Sequence, residues 1–457
     1  MKKLFFILLL ATQFMFANNL NITNVQKVDN HLSFDVSWDN SWWVSTYRDA
    51  SWIFIKYKNS SGQWQHLDIT SATVTGFTLY TYPDHKGIML SRAFSGQGTV
   101  TGSVTVQFNG GVLGPLPDFK VFGIEMVYIN PGAFYVGDGV STSRFYQGND
   151  NTLPYHIQSA GQITVGNTSN DLNGSGLSQN IPATFPNGYD AFYLMKYEIT
   201  QEQYVEFLNT LTATQQQTRT KTDLSAITAG NRFVMRATPT PQIRNGIACD
   251  ANATNATPIT FYCDLNNNSI PNENNDGQNI ATACSPADCM AYMDWAGLRL
   301  ATEFEYEKAC RGTAYPIANE VANATTLVVN AGSIVNAGMP NESVSNINTD
   351  GLINIGLPPK RVGIFATASS TRLQSGAGFY GNMELSGNAQ EFYVNPAQIS
   401  YAGNFGDGLL DATGNQNEWS LSGYHRPRGT GLNPVSKRNY QYSITSLIRN
   451  SNSRGCR

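Results

Sequence analysis

Six cysteines, Cys249, Cys263, Cys284, Cys289, Cys310 and Cys456, are the side chains of this 457-residue sequence most able to make covalent or metal bonds. Cys249 and Cys263 flank a short Asn/Thr-rich segment, and a disulfide between them would close that loop. Cys284 and Cys289 are close enough for a local bridge, or for pairing with Cys310 or Cys456. A buried thiol is the competing assignment for each. The five histidines, His31, His66, His85, His156 and His425, are scattered, so no zinc-spaced Cys/His set arises. No serine-nucleophile elbow or phosphate loop is present. One oxygen-rich run stands out. Asp264, Asn266 and Asn268 repeat at the spacing that opens calcium loops, although Ser269 takes the place of the turn glycine and no Glu closes the loop. An ordinary Asn-rich polar loop is the favoured alternative there.

The N-terminus predicts export. Lys2 and Lys3 precede an apolar run from Leu4 to Ala11 that is too short to span a bilayer, and cleavage is expected near Ala17. Residues 1–17 are therefore assigned as a signal peptide, and no later stretch is apolar enough to cross a membrane. The expected location is the periplasm, the outer surface or the extracellular space. Charged residues make up only 14%, against an ordinary share of roughly 25%, with Asn, Ser, Thr and 41 Gly in their place. A formal charge of −4 argues against nucleic acid as partner. In an oxidising compartment disulfides are expected, but six cysteines are too few to replace a hydrophobic core.

Positioning elements fall into two regions. Residues 19–118 are expected to form a small all-β, immunoglobulin-like sandwich. Leu32, Phe34, Val36 and Trp38 alternate with polar residues, and the run from Trp52 to Tyr57 is apolar enough for a strand buried on both faces. Five of the seven tryptophans lie here, predicted to pack the core, with stacking on a sugar ring as the alternative. The Gly/Pro-rich run 110–117 marks a boundary. Beyond it the spacing predicts helices over Gln201–Leu211 behind Thr200, over Ala287–Trp295 ahead of Gly297, and after Thr302, where Glu305 completes a capping box. On the last helix Glu303, Glu307 and Lys308 are expected on the outer face.

Five segments, in order, resemble the formylglycine-generating enzyme (sulfatase-modifying factor) family. They are Met126–Gly137 (MVYINPGAFYVG), Phe192–Asn209 (FYLMKYEITQEQYVEFLN), Ala291–Gly312 (AYMDWAGLRLATEFEYEKACRG), Gly381–Phe392 (GNMELSGNAQEF) and the closing Ser453–Arg457. The resemblance implies that 121–457 forms an irregular α+β domain of C-type-lectin-like fold, opening with a strand over Met126–Gly137. It also implies structural calcium. Glu384, the carbonyls of Gly387 and Ala389, and Glu391 align with one family calcium site, with Glu384 where an amide is common and Gln390 where Trp is usual. Cys310 matches a disulfide position whose partner is absent here. The family's enzymes hold copper through two late cysteines, and thiolates suit Cu(I). The matching region, about Ser400 to Arg449, has no Cys. A sister branch holds iron through H-x-x-x-H-x-E, also missing.

The sequence therefore predicts an exported, non-catalytic protein that binds a protein or glycan ligand or serves surface structure. One alternative is a structural component of a cell-envelope or extracellular assembly. Another is a metal-dependent oxidoreductase with a changed active site.

Overall fold

The computed structural model describes residues 19–109, 118–421, 424–425, 435, 437, 441–442, 449 and 451–457. The expected signal peptide and the 110–117 segment lie outside these residues. Among the described residues no helix is long and apolar enough to cross a membrane.

Eight strands come first: β1 (Asn21–Val28), β2 (His31–Val44), β3 (Tyr47–Lys58), β4 (Trp64–His66), β5 (Ile69–Thr75), β6 (Phe77–Thr81), β7 (Ile88–Arg92) and β8 (Gly96–Phe108). In β2 the predicted alternation holds. Leu32, Phe34, Val36 and Trp38 are buried, while Ser33, Asp35 and Ser37 keep some solvent contact. One ladder runs β1-β2-β8-β5. A second joins β6-β7-β3, with β4 also on β3. Their inner faces share one core, to which β2 gives Phe34 and Trp38, β3 gives Ile53 and Ile55, and β8 gives Val104 and Val106.

The strand after the gap, β9 (Phe119–Ile129), lies against β3 from Tyr57↔Phe119 to Asp49↔Val127 and continues the same sheet. β3 is thus buried on both faces, as its sequence predicts, but its second face meets the C-terminal region. Trp52 Nε1 donates to Ala296 O at 2.8 Å, and Phe54 packs edge-on against Trp295 with ring centres 5.0 Å apart.

The C-terminal region hangs short elements on this sheet. The expected strand over Met126–Gly137 is interrupted. β9 ends at Ile129, and β10 (Phe134–Val136) resumes after a turn in which Gly132 has φ +125°. Two-stranded ribbons follow from β10 with β12 (Tyr155–Ile157) and from β11 (Phe145–Gln147) with β13 (Leu172–Gly174). β14 (Phe192–Met195) pairs with β9. Helix α1 (Gln201–Leu208) starts at Thr200 as predicted but stops short of Leu211. A second capping box, Thr212 with Gln215, opens α2 (Ala213–Arg219), whose polar sequence gave no apolar stripe to find it by. The ribbon of β15 (Ile247–Cys249) and β16 (Phe261–Cys263) precedes α3 (Pro286–Trp295), which ends just before Gly297 at φ +68°. β17 (Arg299–Leu300) leads to α4 (Glu303–Arg311), with the Thr302–Glu305 box formed. The strand Gly455–Cys456 sits between β14 and β17, so the end of the chain closes the sheet.

The expected outer face of α4 is corrected. Glu303, Glu307 and Lys308 are all fully buried, because the loops on either side wrap the helix. Glu307 accepts from Gly137 N at 2.7 Å and from Arg311, while Lys308 Nζ donates to the carbonyls of Gly188 and Tyr189. Arg299 forks onto Glu305.

Candidate functional site

The turn after Gly381 brings together the acidic residues of the suspected calcium site. Glu384 sits at φ +51°, wholly enclosed; its Oε2 accepts from Gly363 N at 3.0 Å, while Oε1 has no hydrogen-bond partner. Burial pushes this carboxyl up to about 7, against the pull of the Gly363 N–H, Arg454 and Arg361. Gly387, at φ +95°, passes so close to Asn354 that a Cβ would fall 2.6 Å from its carbonyl oxygen. Glu391 lies on the strand Gln390–Phe392, paired in parallel with Ser451–Ser453, which carries Arg454 to it. Its other oxygen accepts from Tyr393 Oη at 2.5 Å. A third acid, Glu198, joins from the segment before α1; it accepts from Ala389 N at 2.8 Å and from Asn388 Nδ2. Burial first, then Glu391, raises its carboxyl well above the usual range. Arg454 also donates to Lys196 O and Met383 O. Glu391 pairs directly with the Arg454 guanidinium, whose charge also acts on Glu198 and Glu384, and the free oxygen of Glu384 fits a hard cation. Glu391 has both oxygens engaged, so Glu384 is the stronger anchor.

A groove of about 1110 Å³ opens where the N-terminal strands meet the helices. Lys58, Trp64 and Lys120 form one wall, and Thr210, Thr212 and Gln215 another. Lys58 Nζ and Lys120 Nζ lie 5.2 and 5.5 Å from the Trp64 ring centre. Trp38 and Trp52 are fully buried, as packing predicts, whereas Trp64 keeps part of its indole in solvent. At the groove floor Lys56 Nζ donates to Trp295 O at 2.7 Å and Gly408 O at 2.5 Å, and lies 3.0 Å from His66 Nδ1. Burial drives this ammonium well below its ordinary range.

A profile of the sulfatase-modifying factor enzyme 1-like domain matches residues 120–455. The chain belongs to the formylglycine-generating enzyme family. A search of curated proteins found no match. The matched span begins at β9 and takes in the whole Glu198–Glu384–Glu391 cluster, so that cluster is built within the family domain.

Membership sharpens what the remaining candidates do. The segment where the family's enzymes carry their copper cysteines has none in this chain, and most of 422–450 lies outside the described residues. The Cys249–Cys263 disulfide is not formed. In the β15–β16 ladder Cys249 faces Phe261 and Cys263 faces Ile247, which leaves the cysteines on a diagonal. Diagonal neighbours stand about 7–8 Å apart, beyond the roughly 4.4–6.8 Å Cα separation of a disulfide. Burial pushes the Cys249 thiol up to about 12. Cys284 and Cys289 have Sγ atoms 3.2 Å apart, because Ser285 caps α3 and the first turn folds Cys289 back.

At the Asx-rich loop the structure brings Asp264, Asn266 and Asn268 together but supplies its own cation. Arg232 Nη2 pairs with Asp264 Oδ2 at 2.6 Å. Asn268 N donates to Asp264 Oδ1 at 3.0 Å and to Asn266 Oδ1 at 2.9 Å, and both Asn side chains donate to Glu273. These are the bonds of a self-satisfied polar loop.

Proposed function

We propose that this member of the family is an exported, non-catalytic binding protein that takes an acidic glycan in the groove between its two regions. The observation that carries the proposal is the groove lining that sets Trp64, Lys58 and Lys120 on the strand side and Thr212 and Gln215 on the helix side. An aromatic face stacks on a sugar ring, and the ammonium groups read its carboxylates, Lys58 exchanging its exposed Asp118 partner for the ligand. On this reading the N-terminal strands are an immunoglobulin-like sandwich that supplies half of the binding surface. Structural calcium is proposed at Glu384, Gly387, Ala389 and Glu391, where the free Glu384 oxygen supports it. The missing cysteine pair supports the non-catalytic reading, since two thiolates are what holds Cu(I) in the family's enzymes.

Calorimetric titration of the mature chain with uronate-containing and neutral oligosaccharides tests the proposal. Saturable binding of the acidic set is expected. Trp64→Ala and Lys120→Gln should each weaken it by about tenfold or more, roughly 1.4 kcal/mol, without lowering the melting temperature. Equal affinity for neutral sugars, or indifference to Trp64→Ala, would overturn the assignment. Aldehyde product from a sulfatase peptide would overturn the non-catalytic reading.

A further inference from the structure

A second group of carboxylates lies outside the family-implied calcium site and outside the groove's binding walls. Asp294, Asp407 and Glu418 each place a carboxylate oxygen within 4.8 Å of the others. Asp294 belongs to the last turn of α3, and the turn Gly406–Gly408 wraps that helix end. Asp407 N donates to Asp294 Oδ1 at 3.1 Å, and Gly408 N to Asp294 O at 3.1 Å. A Cβ on Gly406 would sit 2.5 Å from the Asp294 Cα, so only glycine lets the loop come this close. Glu418 arrives from the following segment beside Trp419, whose Nε1 donates to Asn404 O at 2.8 Å.

The observation that points to a ligand is Asp294 itself. It is 0% exposed, one of its oxygens lies within 4.8 Å of the other two acids, and its Oδ2 has no hydrogen-bond partner. A buried carboxylate oxygen left without a partner costs free energy that the fold must recover elsewhere. The neighbouring cations do not discharge the debt. Lys56 reaches the same helix end but spends its contacts on Trp295 O, Gly408 O and His66, and Lys86 pairs with Asp68 at 2.8 Å. The C-terminus of α3 adds partial negative charge of its own, which also favours a cation there. Burial, then Asp407 and Glu418, push the Asp294 carboxyl up to about 8.

We propose that Asp294, Asp407 and Glu418 form a calcium site that pins the 404–419 segment to the end of α3. The donors are all hard oxygens from an irregular loop and a helix end, a set that suits calcium's flexible coordination better than a strict octahedron.

Terbium(III), a luminescent probe for calcium sites, provides the test in the full mature chain. Trp295 and Trp419 flank the carboxylates and should sensitise bound terbium, giving a saturable emission that calcium displaces. Glu418→Gln and Asp407→Asn, both at partly exposed positions, should each weaken terbium binding by about tenfold or more while circular dichroism stays unchanged. Trp419→Phe should reduce the emission without changing affinity. Glu384→Gln should leave this phase intact, which separates the site from the one proposed at Glu384. Absence of a saturable phase, or a phase unaltered by Glu418→Gln together with Asp407→Asn, would sink the proposal.

Discussion

Strand β3 and helix α4 both lose almost all contact with solvent, but with a different balance of side chains. β3 buries Trp52, Ile53, Phe54 and Ile55 beside only two charges, Asp49 and Lys56, whereas α4 buries Glu303, Glu305, Glu307, Lys308 and Arg311 around Phe304 and Tyr306. The strand contributes apolar area, and its worth scales with the surface removed from water. The helix contributes charges that are tolerable only because each meets a partner, such as Arg299 on Glu305 and Arg311 on Glu307. The N-terminal region is therefore stabilised by contacts that lose strength gradually when trimmed. The family domain is stabilised by contacts that turn into penalties when one partner is removed.

The sharpest way to break that contrast is Arg454→Ala. It strips the guanidinium from Glu391 and orphans the carbonyls of Met383 and Lys196. Urea unfolding should show a loss of about 5 kcal/mol, the upper range for leaving buried charge uncompensated. A loss below about 1 kcal/mol would mean that the Glu198–Glu384–Glu391 cluster is already protonated, and the charge-based account of this domain would fail. Trp52→Ala should come next, at about 4 kcal/mol, as expected for removing a large core aromatic. Its effect has a distinct signature, because Trp52 fills the seam and donates to Ala296 O. The single unfolding transition should broaden or split as the N-terminal strands uncouple from α3. A clean single transition of reduced midpoint would show that the β3–β9 ladder alone holds the two regions together.

The parts of this architecture legible in sequence are those set by local rules. Thr200 with Gln203 and Thr302 with Glu305 announce helix starts because a capping box is complete within four residues. The alternation of Leu32, Phe34, Val36 and Trp38 fixes which side of β2 faces inward. The continuous run in β3 correctly implied two buried faces, but sequence could not say that α3 would cover one of them. Charge patterning misled at α4. Glu303, Glu307 and Lys308 sit where a solvent face belongs, and only the wrapping of distant loops buries them. The site residues were half visible. Glu384 and Glu391 share a recognisable motif, whereas Glu198 reaches them from far upstream. Asp294, Asp407 and Glu418 have no sequence spacing in common. The cysteine pairing failed for a register reason, since loop length alone does not reveal that Cys249 and Cys263 are diagonal.

The smallest of these effects isolates a single buried charge on α4. Lys308 is fully buried, and burial lowers its ammonium to about 8 although Glu305 and Asp190 favour the charged form. In the unfolded chain the same group keeps its proton to about 10.4. Between those values the unfolded state binds more protons than the folded one, so stability rises with pH across that window. At pH 7 both states are charged and the full cost of burial is felt. Relative to Lys308→Met, the wild type should gain about 2 kcal/mol between pH 7 and pH 10. The loss of donation to Gly188 O and Tyr189 O in the variant is independent of pH and cancels from that difference. A flat difference across the range would show that Lys308 keeps its ordinary pKa in the folded chain, hydrated rather than desolvated, and the charge-burial account of α4 would fail there.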